Sequence, residues 1–225
     1  MKRLLTVLLF LSFGLLSYAQ GKTSEIYTYK NGDTSAWFGW RQKDFKQMGL
    51  PDLTKSSDSL HFRFSTEIQA IDIWTEDYKT FAGTFANVTK SCNPDRSRKK
   101  RPAPEKLYCH IVNLDNSKAK QIYSVFTKLS IFAIPTEENI KGWCSGTDGT
   151  TYFIEYSNSS KYSFKTYWTP EVCKDKIPEA FTIDSLANQL ETILSMRSSF
   201  NSFINSLPLG CYHAGGIVIN RYKNK

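Results

Sequence analysis

Two carboxylates, Asp148 and Glu155, are the nearest this chain comes to a pair for general acid–base work. Asp148 closes the stretch from Trp143 to Gly149, and Glu155 follows in a β-forming segment. Each also has a cheaper local explanation. Asp148-Gly149 is a turn signal, and Glu155 would lie across from Ser163 and near Lys165, where a cross-strand ion pair accounts for it. Cys109 and His110 are adjacent in a predicted strand, so their side chains point to opposite faces and form no dyad. The chain carries no Gly-x-Ser-x-Gly elbow, Gly-rich phosphate loop or His-Glu-x-x-His helix. His61, His110 and His213 are scattered, and no two cysteines have the short spacing of a zinc or redox motif. We therefore expect no catalytic residue, no cofactor and no metal.

Binding chemistry is better represented. Arg96, Arg98, Lys99, Lys100 and Arg101 are nearly consecutive in a polar, proline-bearing stretch from Asn93 to Glu105. Like charges at this density resist packing, so the stretch reads as a surface loop, either idle or an anion-binding tongue. A formal charge of +8 favours anionic partners by long-range attraction. Trp37, Trp40 and Arg41 could make a recognition patch, since such residues anchor interfaces, or a core plug from the N-terminal arm. Trp143, Asp148, Gly149 and Glu155 complete the candidate binding residues, and an anionic polymer or a protein is the expected partner.

The N-terminus gives an address. Lys2 and Arg3 precede an apolar run from Leu4 to Leu16, and Ser17-Tyr18-Ala19 supplies small residues for a peptidase, which predicts cleavage between Ala19 and Gln20. Residues 1–19 are thus a signal peptide and 20–225 a single exported domain, with no stable membrane insertion. Loss of Lys2 and Arg3 lowers the charge from +8 to +6. Five cysteines in an oxidising compartment leave at least one thiol over. Cys144 and Cys173 flank a predicted hairpin and should be joined; Cys92 and Cys109 flank the basic stretch and form a second candidate pair. Cys211 is then free.

These residues need elements to hold them. Residues 20–58 read as irregular around a turn at Asn31-Gly32-Asp33. From Leu60 a period-two pattern predicts strands around Leu60, Ile71 and Phe81, in an antiparallel meander. Leu107 to Leu114 returns to strand. Asp115, Asn116 or Ser117 caps a helix with Ala119, Ile122, Tyr123, Phe126 and Leu129 on one stripe. A second helix runs from an N-cap at Thr182 to Pro208, and Gly216 to Tyr222 adds a last strand. In the hairpin, a three-residue loop from Asn158 to Ser160 pairs Ile154 with Phe164 and Tyr156 with Tyr162, gathering the aromatics on one face. The expected fold is α+β: a single domain with an antiparallel sheet of about six or seven strands and two helices packed on one face.

The leader ending before Gln20, the Trp-x-x-Gly-x-Asp-Gly stretch from Trp143 to Gly149 and the aromatic hairpin with its central Glu155 resemble uncharacterised exported proteins of Bacteroidota. That resemblance implies a periplasmic or cell-surface address and no activity. Some secreted proteins of the group end in a sorting domain built of strands; here a long helix fills most of that place. The leading expectation for function is a non-catalytic exported binding or envelope-associated domain. Alternatives are a hydrolase of an extracellular polymer acting through a carboxylate pair, and an inhibitor or immunity-type protein of a secreted enzyme.

Overall fold

A computed structural model describes residues 22–92 and 105–222; the expected signal peptide, residues 1–19, and the basic run Arg96 to Arg101 lie outside them. The alternating pattern from Leu60 produces three long antiparallel strands, β2 (Leu60–Ser65), β3 (Gln69–Thr75) and β4 (Ala82–Ser91), with Phe62 opposite Ile73 and Ile71 opposite Phe85. β6 (Thr151–Ser157) adds to β2, and β7 (Lys161–Trp168) to β6. Outermost on that side lies β1 (Thr23–Ile26), which runs parallel to β7. At the other side β5 (Leu107–Leu114) pairs with β4. The terminal hairpin, β8 (Gly210–Ala214) and β9 (Ile217–Arg221), joins the far end of β4. Among the described residues the sheet therefore has nine strands, not six or seven, and is mixed rather than antiparallel.

Both faces of the sheet are covered, which corrects the expectation of helices on one face. On one face, α1 (Ala36–Met48) packs Phe45 and Met48 over Ala70, Ala86 and Val88. The other face holds the main core, where α2 (Asn116–Lys128) and α4 (Pro178–Leu194) bring Ile122, Phe126, Ile183, Leu186 and Leu190 onto Phe62, Phe64, Ile71 and Ile73. Between β7 and α4 stands the one-turn helix α3 (Pro170–Cys173). Asp115 caps α2 by accepting from the Lys118 N–H at 2.7 Å. The long second helix is two: α4 begins at Pro178, four residues before the expected cap, and Ser195 (φ 49°) breaks it from α5 (Met196–Ser206). Thr182 is inside α4, with its hydroxyl donating to the Pro178 carbonyl at 2.9 Å.

The hairpin register differs by one residue from the expected pairing. Ile154 lies opposite Lys165 and Glu155 opposite Phe164. Asn158 makes the difference: its N–H donates to the Lys161 carbonyl at 2.9 Å and its Oδ1 accepts from the Ser160 and Lys161 N–H groups at 2.9 and 2.7 Å, closing a two-residue turn at Ser159-Ser160 in place of the expected three-residue loop. One-face segregation was the wrong criterion, because both faces are buried. Phe153, Tyr162 and Phe164 pack beneath Trp37 and Phe38, while Ile154 and Tyr167 join the main core. Lys165, on the main-core face, donates its ammonium to the Phe132 and Ile134 carbonyls at 3.0 and 2.6 Å instead of meeting Glu155.

Cysteine pairing is settled by strand neighbours. Cys144 and Cys173 are joined, with Cα atoms 5.8 Å apart. Cys92 is not joined to Cys109: in the β4–β5 register Cys109 lies opposite Val88, well short of Cys92. β8 instead brings Tyr212 opposite Ser91, so Cys211 arrives beside Cys92, and these two are bonded at a Cα separation of 5.1 Å. Cys109, not Cys211, is the free thiol, and it is exposed. Two disulfides fit an oxidising compartment. No helix among the described residues is long and apolar enough to cross a membrane.

Candidate functional site

The face under α1 holds a buried cluster of charged side chains. Alternation along β2 places His61, Arg63 and Ser65 on it, and Asp72 faces Arg63 directly across the β2–β3 pair. Arg63 is fully buried. Its Nε donates to Asp72 Oδ1 at 2.5 Å and its Nη2 to Oδ2 at 2.8 Å, a bidentate pair. Nη1 donates to Glu155 Oε2 at 3.0 Å, and Nη2 also donates to the Pro51 carbonyl at 3.0 Å. Glu155 Oε1 accepts from the Tyr162 hydroxyl at 2.6 Å and from Gln42 Nε2 at 2.9 Å. Burial alone would raise the Asp72 carboxyl, but Arg63 outweighs it and holds Asp72 below the ordinary carboxylate range. Burial and the Glu155 carboxylate push the Tyr162 phenol far up, so it stays a donor. The cluster ties α1, the Pro51 segment and four strands (β2, β3, β6 and β7) together and has no open acceptor or base for a substrate. It is a clamp.

α1 carries the second half of the arrangement. Trp37, Arg41, Phe45 and Met48 recur at helical spacing and face the sheet. An arginine within that stripe is what hid the helix from sequence reasoning. Arg41 is buried, donates to the Thr66 carbonyl at 2.8 Å and to Asp44 at 3.3 Å, and lies 4.6 Å over the Phe45 ring. The two tryptophans differ in burial. Trp37 is half-buried against Phe153 at 5.3 Å, as a plug; Trp40 is 61% exposed, set edge-on to Trp37 at 5.4 Å.

These two rings stand at one side of a groove of about 320 Å³ between α1, β4 and the β8–β9 turn. Its floor is apolar (Met48, Val88, Leu107), and its rim is charged. Asp44 accepts from Lys90 at 3.0 Å as well as from Arg41, and His213 faces Glu105 at 3.8 Å. The groove thus offers a stacking surface backed by a rigid sheet, with a rim that can exchange hydrogen bonds.

The residues singled out from sequence are dispersed. Asp148 and Gly149 line a different cavity, of about 600 Å³, with Tyr152 and Phe64 of the main-core face. Glu155 lies on the opposite face within the Arg63 clamp, so Asp148 and Glu155 share no site. A Cβ on Gly146 would overlap the Trp168 ring, and one on Gly149 would overlap the Thr169 side chain. Trp143 is structural: its Nε1 donates to the Trp168 carbonyl at 2.9 Å, and it packs by the Cys144–Cys173 bond. Arg98, Lys99, Lys100 and Arg101 lie outside the described residues. Sequence reasoning missed Arg63 and Asp72, because a polar residue alternating with apolar ones reads as solvent-facing. No group of metal-ligating side chains occurs among the described residues. No protein-family model matches this chain, and no curated protein matches it in sequence.

Proposed function

We propose that this protein is an exported, non-catalytic binding domain that takes an anionic polysaccharide along the Trp37–Trp40 groove. The observation that carries the reading is Trp40, a large indole left 61% exposed on a helix that the Arg63 clamp holds rigidly to the sheet. Its flat face suits the apolar face of a sugar ring, and the charged rim suits hydroxyls. Lys90 and Glu105, which line the groove, bracket in sequence the stretch that carries Arg96, Arg98, Lys99, Lys100 and Arg101, which supplies the positive charge for an acidic polymer. Pairing of positive charge with an acidic polymer makes affinity salt-dependent through counterion release.

Heparin is the probe. Binding at low salt should weaken steeply as salt rises. Serine at Arg98, Lys99, Lys100 and Arg101 should remove most of it, and Trp40→Ala should weaken it about tenfold, the worth of one aromatic contact. Neither change should alter the unfolding midpoint. Binding untouched by both changes would exclude this groove.

The address is part of the same reading. Protein recovered from a secreting host should begin at Gln20 by intact mass. A retained leader there would remove export from the proposal.

A further inference from the structure

β5 is an edge of the sheet: it pairs with β4 and, among the described residues, with no other strand. Residues 109–113 are exposed in succession, so neither face of the strand is covered there. Ile111 and Val112, whose side chains leave the strand on opposite faces, are each 42% exposed. One bond fixes the direction of the backbone groups. The Ser91 N–H donates to the Lys106 carbonyl at 2.9 Å, and these two residues continue the β4–β5 register by one pair. Even-numbered residues of β5 therefore turn their N–H and C=O toward β4, and Leu107, Cys109, Ile111 and Asn113 turn theirs outward. No hydrogen bond among the described residues reaches these outward groups. Exposed edges are normally blunted by a fixed charge, a proline or a bulge. β5 has none of the three: it reads Leu-Tyr-Cys-His-Ile-Val-Asn-Leu, and its register with β4 is unbroken from Leu107 to Leu114. The opposite edge is guarded, because β1 is four residues long and its Glu25 is paired with Lys161 at 2.7 Å.

We propose that β5 pairs with β5 of a second copy of this chain, antiparallel about a two-fold axis at His110, to give a dimer with one continuous sheet. In that register Leu107 lies opposite the partner's Asn113 and Cys109 opposite the partner's Ile111. All four outward residues of each strand are then used, with about eight hydrogen bonds. Val112 meets the partner's Tyr108, so both exposed aliphatic side chains gain a cross-strand neighbour. Charge selects a second copy as the occupant. The strand has no fixed charge to repel itself, although the chain is +8. Antiparallel pairing also brings the Lys106 end of one strand to the Asp115 end of the other, which are unlike charges; Glu105, one residue further out, lies toward His213 at 3.8 Å. The axis is perpendicular to the sheet, so both α1 faces lie on one side. Leu107, on the floor of the Trp37–Trp40 groove, then falls roughly 20 Å along the strands from its counterpart. One polymer can reach both grooves; that consequence rests on the polysaccharide reading, and the dimer does not.

Sedimentation equilibrium of the ligand-free Cys109→Ser protein, in which no disulfide can join two copies through this strand, tests the proposal. The mass should rise from one copy to two with concentration. Ile111→Lys, a charge at an exposed position on the edge, should weaken the dimer about tenfold at an unchanged unfolding midpoint. Amide exchange locates the contact. The N–H groups of Ile111 and Asn113 should gain protection as concentration rises, while those of His110 and Val112, bonded to β4, stay protected throughout. In the protein with its thiol, a short bismaleimide should join Cys109 to the partner's Cys109, diagonal neighbours about 7–8 Å apart in this register. A monomer at every concentration would overturn the proposal, whether its outward amides are open, as on an unpaired edge, or protected, as on one covered by its own chain. So would a dimer that ignores Ile111→Lys and is not cross-linked through Cys109.

Discussion

Arg63→Ala should lower the unfolding free energy by about 3–5 kcal/mol, the range for removing one partner of a buried ion cluster. The loss follows from what stays behind. Asp72 and Glu155 are each about fully buried, and both lean on the Arg63 guanidinium. Without it two carboxylates remain in a low-dielectric layer, with Tyr162 and Gln42 left to one of them. Guanidinium chloride unfolding, read as a shift in midpoint at unchanged slope, measures the effect. The pH dependence should also change sign. In the native protein Asp72 is held below its unfolded value, so its contribution is present above about pH 4 and lost as pH falls through the folded value. In Arg63→Ala the stranded carboxyl prefers its proton, so acidification should favour the folded variant. Combining Arg63→Met with Asp72→Asn and Glu155→Gln removes the charges together and should recover most of the loss. A variant with Arg63→Ala alone that unfolds like the parent would show that the cluster does not clamp α1 to the sheet.

The second large effect belongs to the Cys92–Cys211 bond. It spans 119 residues and ties the β8–β9 hairpin to the end of β4, where the register has just two residue pairs. By the chain-entropy account, closing a loop of that length contributes about 5 kcal/mol, against about 3–4 kcal/mol for the 29-residue span of Cys144–Cys173. Cys92→Ser with Cys211→Ser should therefore destabilise more than Cys144→Ser with Cys173→Ser. Cys109→Ser, which removes an exposed thiol, should be nearly neutral. Maleimide should label one thiol in the unreduced protein, and peptide mapping should place it at Cys109. A label on Cys211 or Cys92 would overturn the β4–β8 pairing.

The features legible along the chain are local ones. Leu60, Phe62 and Phe64 alternate because a strand has period two, so the β2–β4 meander could be read directly. Asp115 could be named among the caps because a short side-chain acceptor before an apolar stripe satisfies free N–H groups within one turn. Tertiary structure decided everything that depends on what covers a face. Arg41 and Arg63 look like surface residues until α1 closes over them, and only then does Asp72 become a partner rather than a solvated acid. The hairpin slipped by one residue from the expected pairing because α1 and the main core bury both of its faces, removing the contrast from which a register is argued. Cys211 met Cys92 because β8 returns to β4 from 119 residues away, a distance over which spacing carries no information. The same closure left Trp40 exposed and Trp37 half-buried, although they are neighbours on one helix. Burial is a property of the assembled sheet and helices, and no window of sequence contains it.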